Sequence, residues 1–294
     1  IGNASVQVNV LVNTFFAALI VDPVRGVNGA TGWLQYAFRF MQLPLGLFGV
    51  AIATATLPAI GRSAASGNID EFRETLARSL GLVFLLTVPA SAGLVVLGPS
   101  IIGAIYEGRR FQAYDTHQTA VALSFYSIGL AGYAAVKVLT PAFYALKDSR
   151  TPMVISLASI AINAGAAWAL VRHTNMGHAG LALSTSCVAL FSFLTLFWAI
   201  KQKLGGIHGR RVRSVILKVS AASLLMTAIV WASSAAITGL LGRNFFGRIT
   251  DLAVSIPLGL GVLYWAARGL RIEELEMATR ALAGPLQRRL SRAR

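Results

Sequence analysis

The sequence predicts an all-α polytopic membrane protein with eight transmembrane helices. Three observations carry that fold class. Hydrophobic residues make up 55% of the 294 and charged residues only 13%, where a soluble domain carries about 25% charged. Mean hydropathy is +0.66. The apolar residues come in blocks of about 20, the length needed to cross a hydrocarbon core about 30 Å thick. Such a segment must satisfy its own backbone polar groups, which a helix does and an open strand does not. A closed barrel would need alternating segments of about 10 residues, a pattern this chain lacks.

The blocks lie at 4–21, 32–58, 78–97, 117–144, 152–171, 178–200, 215–240 and 249–268. The first carries Ser5, Asn9 and Asn13 on one helical face, each four residues from the last. The second carries Gln35, Arg39, Gln42 and Gly46 on one face, and Pro44 with Gly46 weakens the backbone ladder just beyond the arginine. A bend there would aim that face at a cavity. Residues 68–78 read as a separate amphipathic surface helix, acidic early and basic late. The fourth block bears the stripe Tyr126, Tyr133, Lys137, Thr140 and Tyr144, and the fifth Ser156, Ser159 and Asn163. The sixth holds the single cysteine, Cys187, so there is neither a disulfide framework nor a paired metal ligand. Lys201–Arg213, with Gly205, Gly206 and Gly209, reads as a basic linker before the final two blocks. Leu43–Gly46 and Ile256–Gly259 share a four-residue pattern that carries little weight. Beyond the last block, Arg271–Leu290 reads as an amphipathic helix on the membrane surface. The division is therefore 1–204, a six-helix unit; 205–268, a helix pair; and 269–294, a basic tail.

Charge sets the expected orientation. Eight crossings put both ends of the chain on one side, and that side carries 18 basic residues against 6 on the other. The excess places both ends in the cytoplasm. A formal charge of +15 in a soluble protein would raise nucleic acid as a partner. Here the basic residues sit between apolar blocks, so no nucleic acid is expected. The chain opens on Ile1 without a basic segment ahead of an apolar one, so no signal peptide is read. It is read instead as a fragment whose upstream part is missing.

The two basic residues left outside that count, Arg39 and Lys137, both fall inside blocks. An arginine at mid-span costs about 2.5–3.5 kcal/mol on insertion scales, so it needs a partner or a wet cavity. Arg39 is read as part of an anion-binding wall, its guanidinium able to clamp phosphate oxygens in a fork. The competing reading is a structural arginine satisfied by helix-end carbonyls or a lipid headgroup. Lys137 could line the same cavity or snorkel to the interface. The Ser and Thr stripes read chiefly as interhelical hydrogen bonding, worth about 0.6 kcal/mol each. Absences matter as well. All 11 carboxylates are read as lying in loops, at span edges or in the tail, with Asp70-Glu71 and Glu273-Glu274 as solvated helix charges. Neither a buried proton relay nor a carboxylate cluster for Mg²⁺ is visible. His117, His173, His178 and His208 lack metal-ligand spacing, and no G-x-S-x-G or Walker loop occurs. An enzyme is not expected, and neither is a metal or cofactor.

Three ordered stretches carry a family resemblance: Gln7 to Thr14 (QVNVLVNT); Gln35 to Thr54 (QYAFRFMQLPLGLFGVAIAT), closing at Leu57-Pro58; and Lys137 to Pro152 (KVLTPAFYALKDSRTP). All three resemble the MurJ/MviN lipid II flippases of the multidrug/oligosaccharidyl-lipid/polysaccharide exporter superfamily. The resemblance extends over the whole chain, as the family's seventh to fourteenth helices: the second six-helix lobe plus a C-terminal pair. It implies movement of lipid II, an undecaprenyl-diphosphate-linked peptidoglycan precursor, across the inner membrane by alternating access. It further implies a central cationic cavity shared with an N-terminal lobe absent here, and a groove for the lipid tail in the last helix pair.

Arg39 matches the family's cavity arginine in the eighth helix. The expected substrate-binding residues are Arg39, Gln35, Gln42, Lys137, Asn9 and Asn13, and the expected partners are lipid II, membrane lipids and the missing lobe. The chain departs from the family at one place. Members with a proposed sodium site carry Asp in the seventh helix and, four residues after an Asn, in the eleventh; here those positions are Asn13 and, after Asn163, Ala167. A sodium site of that kind is not expected, and membrane potential acting on the cationic cavity becomes the candidate driving force. A polysaccharide-lipid or drug exporter of the same superfamily, or a scaffold recruiting cell-wall enzymes, are the alternative functions.

Overall fold

The computed structural model describes residues 2–26, 28–207 and 209–275. The side chain of Ser5, all of His208 and the tail from residue 276 lie outside the described residues. Ten helical segments follow one another: α1 (Gly2–Ala18), α2 (Asn28–Pro44), a π-helical stretch (Leu45–Val50), α3 (Ala51–Ala65), α4 (Ile69–Tyr106), α5 (Ala113–Ala145), α6 (Arg150–His173), α7 (His178–Lys203), α8 (Gly209–Leu241) and α9 (Phe245–Gly269). Among the described residues the only β pairing is an isolated bridge between Asp22 and Gly26. The all-α polytopic class therefore holds. Asn28–Ala65 runs as one continuous helical span through its π turns, and it and α4 to α9 are seven helices long and apolar enough to cross a membrane. In α1 the described apolar part, Val8–Ala18, is shorter. The π stretch sits where Pro44 removes a backbone donor and Gly46 lowers helix propensity, the two residues that mark the weak point in the sequence.

Residues 69–78 do not form a separate surface helix. They are the first turns of α4, a single helix of 38 residues. Asn68 caps it, its side chain accepting from the Glu71 N–H at 3.2 Å, and Asp70 and Glu71 favour the positive end of the helix dipole. No breaker follows before Pro89, and the fully buried Phe72, Leu76 and Leu80 hold the amphipathic start in the core. Burial of its apolar face outweighs the charge density that makes this segment look separate.

Central to the bundle is α5, packed against α2, α3, α4 and α7, while α1 pairs with α6. Two aromatic and aliphatic cores flank it, one around Phe72, Phe84, Leu139, Phe143 and Phe193, the other around Phe40, Met41, Leu123, Tyr126 and Leu130. Between α5 and α7 the approach is close because Gly129 faces Ser186: a Cβ there would lie 2.7 Å from the Ser186 Cα. Small residues at such crossings are how membrane helices gain packing without a hydrophobic driving force. The last pair, α8 and α9, packs on itself and on α4, through Leu85, Val215, Val219 and Ala267 at one level and Leu97, Met226 and Val230 at another.

Polar contacts close both ends of the bundle. At the end holding the α1–α2 turn, the buried Asp115 accepts from Arg25 Nε at 3.0 Å, Trp33 Nε1 at 3.0 Å and the Gln112 N–H at 2.8 Å. Nearby, burial pushes the Asp22 carboxyl upward, but the Tyr114 hydroxyl and the N–H groups of Arg25 and Val24 outweigh it and hold Asp22 below its ordinary value. At the opposite end Lys203 pairs with Asp148 at 2.6 Å, Arg73 donates to the Leu204 carbonyl, and Arg211 pairs with Glu273 at 2.6 Å.

The carboxylates are less peripheral than the sequence suggests. Asp115, Asp251 and Glu274 are 4%, 0% and 1% exposed. Glu274 lies against Gly81 with Arg211 Nε at 3.4 Å, so it is not a solvated helix charge. Asp251 accepts three serine hydroxyls, from Ser100 of α4 at 2.5 Å, Ser234 of α8 at 2.8 Å and Ser255 of its own helix at 2.9 Å. One turn away Arg248 pairs with Glu107 at 2.7 Å. These partners supply the donors that make burial of a charge tolerable. All but Ser255 come from other parts of the chain, so the local sequence announces little of this.

Candidate functional site

Four helices, α1, α2, α5 and α7, line a half-open cavity of about 100 Å³. Its polar lining is Asn9, Asn13 and Thr14 from α1, Thr31 and Gln35 from α2, Tyr126 and Tyr133 from α5 and Thr185 from α7; Leu34 and Phe38 add apolar surface. None of the lining residues is charged. Of the stripes read from the first, second and fourth blocks, Asn9, Asn13, Gln35, Tyr126 and Tyr133 reach this one space, while the rest of the second and fourth stripes do not line it.

Within it Asn13 both donates and accepts. Its amide donates to Thr185 Oγ1 at 2.7 Å, and its oxygen accepts from the Asn163 amide at 3.1 Å. Asn163 in turn accepts from Ser184 at 3.3 Å. This chain of neutral groups ties α1, α6 and α7 together, the interhelical bonding expected of small polar residues in a membrane. Asn13 and Asn163, distant in sequence, occupy one place. Tyr133 donates to the Thr185 carbonyl at 3.4 Å. By contrast the Asn9 side-chain oxygen is buried without a hydrogen-bond partner.

Arg39, Gln42 and Lys137 are exposed and lie outside that lining. Arg39 is one turn beyond Gln35 on the same face of α2, so their Cβ atoms are about 5–6 Å apart. Its guanidinium carbon lies 5.9 Å from the centre of the Tyr36 ring, at the outer limit of a cation–π contact. Tyr36 is itself held by Tyr106, ring centres 4.6 Å apart, and by Phe111 edge-on at 5.5 Å. Arg39 has no hydrogen-bonding or ion-pairing partner among the described residues, which leaves all five of its N–H donors available. Lys137 follows Tyr133 by one turn on α5, and the π stretch packs nearby, Gly49 against Ala134. Sequence reasoning missed Thr14, Thr31 and Thr185 as lining residues; Thr14 follows Asn13 directly but is off its stripe. Thr185 had a signal, the run Ser184-Thr185-Ser186 inside an apolar block; Thr31 precedes its block and had none. Among the described residues no three His, Cys, Asp or Glu side chains gather as metal ligands.

A family model described as "Lipid II flippase MurJ" matches residues 1–249. The chain belongs to the lipid II flippase MurJ family. Among curated members, a probable lipid II flippase MurJ of Vibrio cholerae is 30% identical over 286 residues, 93% of this chain and 51% of the relative. One of Rhizobium meliloti is 32% identical over 236 residues, 76% of this chain and 41% of the relative. The chain thus spans about half the length of the MurJ relatives it matches. Among solved structures, a lipid II flippase MurJ in an inward closed conformation superposes with a TM-score of 0.69 at 25% identity, covering 90% of this chain and 52% of that one. A MOP superfamily transporter from Pyrococcus furiosus shares the fold, with a TM-score of 0.58 at 18% identity, over 94% of this chain and 64% of that one.

Proposed function

We propose that this chain is the C-terminal part of a lipid II flippase of the inner membrane, with residues 1–204 as its second transport lobe and 205–268 as a pair that takes the lipid tail. Family membership supports the substrate class. The observation that carries the site is Arg39: a guanidinium within a membrane helix, exposed and without an ionic partner, on the helical face that Gln35 shares. Leaving such a charge unpaired costs a membrane protein several kcal/mol, and a diphosphate accepted in a bidentate fork offsets that cost. Gln35 and Gln42 then supply hydrogen bonds to headgroup or water, and Lys137 adds a second positive charge on α5. Asn9 and Asn13 line the neighbouring cavity. Both ends of the chain face the cytoplasm in this reading, following the basic residues. An N-terminal lobe completes the cavity, and membrane lipids flank it. The chain acts as a transporter and makes no covalent change to its substrate.

The test uses the full-length protein in cells depleted of their own lipid II flippase, with lipid II exposed at the outer leaflet as the readout. Wild type restores exposure. Arg39→Ala, inserted at the same level, does not, and Arg39→Lys restores little, because a point charge lacks the planar fork. Wild-type transport by Arg39→Ala overturns the assignment of the site. Failure of the wild type itself, when correctly inserted, overturns the substrate.

A further inference from the structure

The cavity beside Arg39 carries chemistry that a diphosphate does not use. Phosphate oxygens at neutral pH only accept hydrogen bonds, and they seek positive charge. The cavity lining holds no charged side chain. It holds an unmet acceptor instead: the Asn9 oxygen is buried without a partner, and a buried acceptor left unmade is a standing cost that an occupant with a donor removes. Turning Asn13 toward that oxygen would break the bonds that tie one of its N–H donors to Thr185 and its oxygen to Asn163. Gln35, with no hydrogen bond among the described residues, offers both a donor and an acceptor from the opposite wall. Tyr126, Tyr133 and Phe38 present ring surface between them.

We propose that this cavity takes one uncharged, hydrogen-bonding ring of the substrate headgroup, the sugar bonded directly to the diphosphate, through its hydroxyl and acetamido groups. The inference rests on the reading of Arg39 as the diphosphate contact. Gln35 and Arg39 stand one helical turn apart, about 5–6 Å between Cβ atoms, so a sugar in the cavity leaves its attached diphosphate at the guanidinium. Sugar hydroxyls and an acetamido N–H supply the donor that Asn9 lacks, and the apolar ring faces accept sugar C–H groups. The cavity is half-open, so one ring seats in it while the remaining sugar and peptide lie outside.

Binding of two probes to the purified full-length protein, undecaprenyl diphosphate and lipid II, separates the two subsites. Asn9→Ala, Thr31→Ala and Gln35→Ala are each expected to weaken lipid II about tenfold, the worth of one or two hydrogen bonds to a buried partner. They leave undecaprenyl diphosphate within about twofold. Arg39→Ala weakens both probes. Gln35 is exposed, so its truncation keeps the fold even if Asn9→Ala does not. Equal losses for both probes in the Asn9 and Gln35 variants, or no loss for either, overturn the sugar subsite. If Arg39→Ala leaves both affinities unchanged while Gln35→Ala still discriminates between them, the diphosphate contact fails and the sugar subsite stands.

Discussion

Gly129 is where α5 and α7 come closest, and a single methyl group there tests how the transport lobe is packed. In Gly129→Ala the new Cβ would lie 2.7 Å from Ser186 Cα and 2.9 Å from Ser186 Cβ, where an ordinary van der Waals approach begins at 3.4 Å. The obstacle is backbone, so no side-chain rotation relieves it. The two helices must part, and with them the hydrogen bonds from Ser186 Oγ to the Phe125 carbonyl at 2.6 Å and the Tyr126 carbonyl at 3.2 Å. Overpacking of this kind costs about 1–3 kcal/mol, and weakening the serine bonds adds about 1 kcal/mol. Against this, alanine is favoured over glycine in a helix by about 0.5–1 kcal/mol. The net expectation is a loss of about 1–3 kcal/mol. Gly165→Ala is the internal control: it sits in α6 with no heavy atom within 4 Å of its Cβ position, so only the helical gain of about 0.5–1 kcal/mol applies. Reversible unfolding in mixed micelles, with the two variants compared under identical conditions, measures the difference. Tyr126 and Thr185 flank the same crossing, so Gly129→Ala should also loosen the cavity between α1, α2, α5 and α7. Equal stability of the two variants would refute the close approach of α5 and α7.

Asp251→Ala should destabilise the chain by about 1–3 kcal/mol, since it removes the acceptor for two interhelical serine bonds worth about 0.6–1.7 kcal/mol each; unchanged or raised stability would mean that desolvation of the carboxylate outweighs those bonds. Trp33→Phe should cost about 1–2 kcal/mol by removing one donor from the buried Asp115 while Arg25 and Gln112 remain, measured as a lowered thermal midpoint. The Lys203 ammonium, then the Thr151 N–H, hold the Asp148 carboxyl down to about 2 from 3.8. A lowered folded-state value means the contribution is present above the unfolded value of 3.8 and disappears as pH falls through about 2. Because Lys203 is 40% exposed, solvent screening limits the pair to about 1 kcal/mol. Asp148→Asn should therefore be less stable than wild type by a constant amount at neutral pH, with the gap closing between those two values; a gap that persists at the acid end would assign the effect to something other than the ion pair.

Much of this protein is written in its composition. Runs of about 20 apolar residues cannot leave backbone groups unpaired in hydrocarbon, so helices follow, and polar stripes at helical spacing mark candidate inner faces. Asn9, Asn13, Gln35, Tyr126 and Tyr133 do meet in one cavity. Periodicity names the face of a helix but not what the face meets, so the same rule could not say that Arg39, Gln42 and Lys137 fall outside that lining. Nor could it see that Asn13 and Asn163, 150 positions apart, share a hydrogen bond. The carboxylates show the limit most clearly. Asp251, near the start of its block, looks like any charge at a span edge, and Glu274 like half of a solvated pair. Both are buried because Ser100, Ser234, Gly81 and Arg211 arrive from other helices. Hydropathy is a local property and the chain carries it residue by residue. Satisfaction of a buried polar group is a property of pairs brought together by packing, and only the tertiary structure decides it.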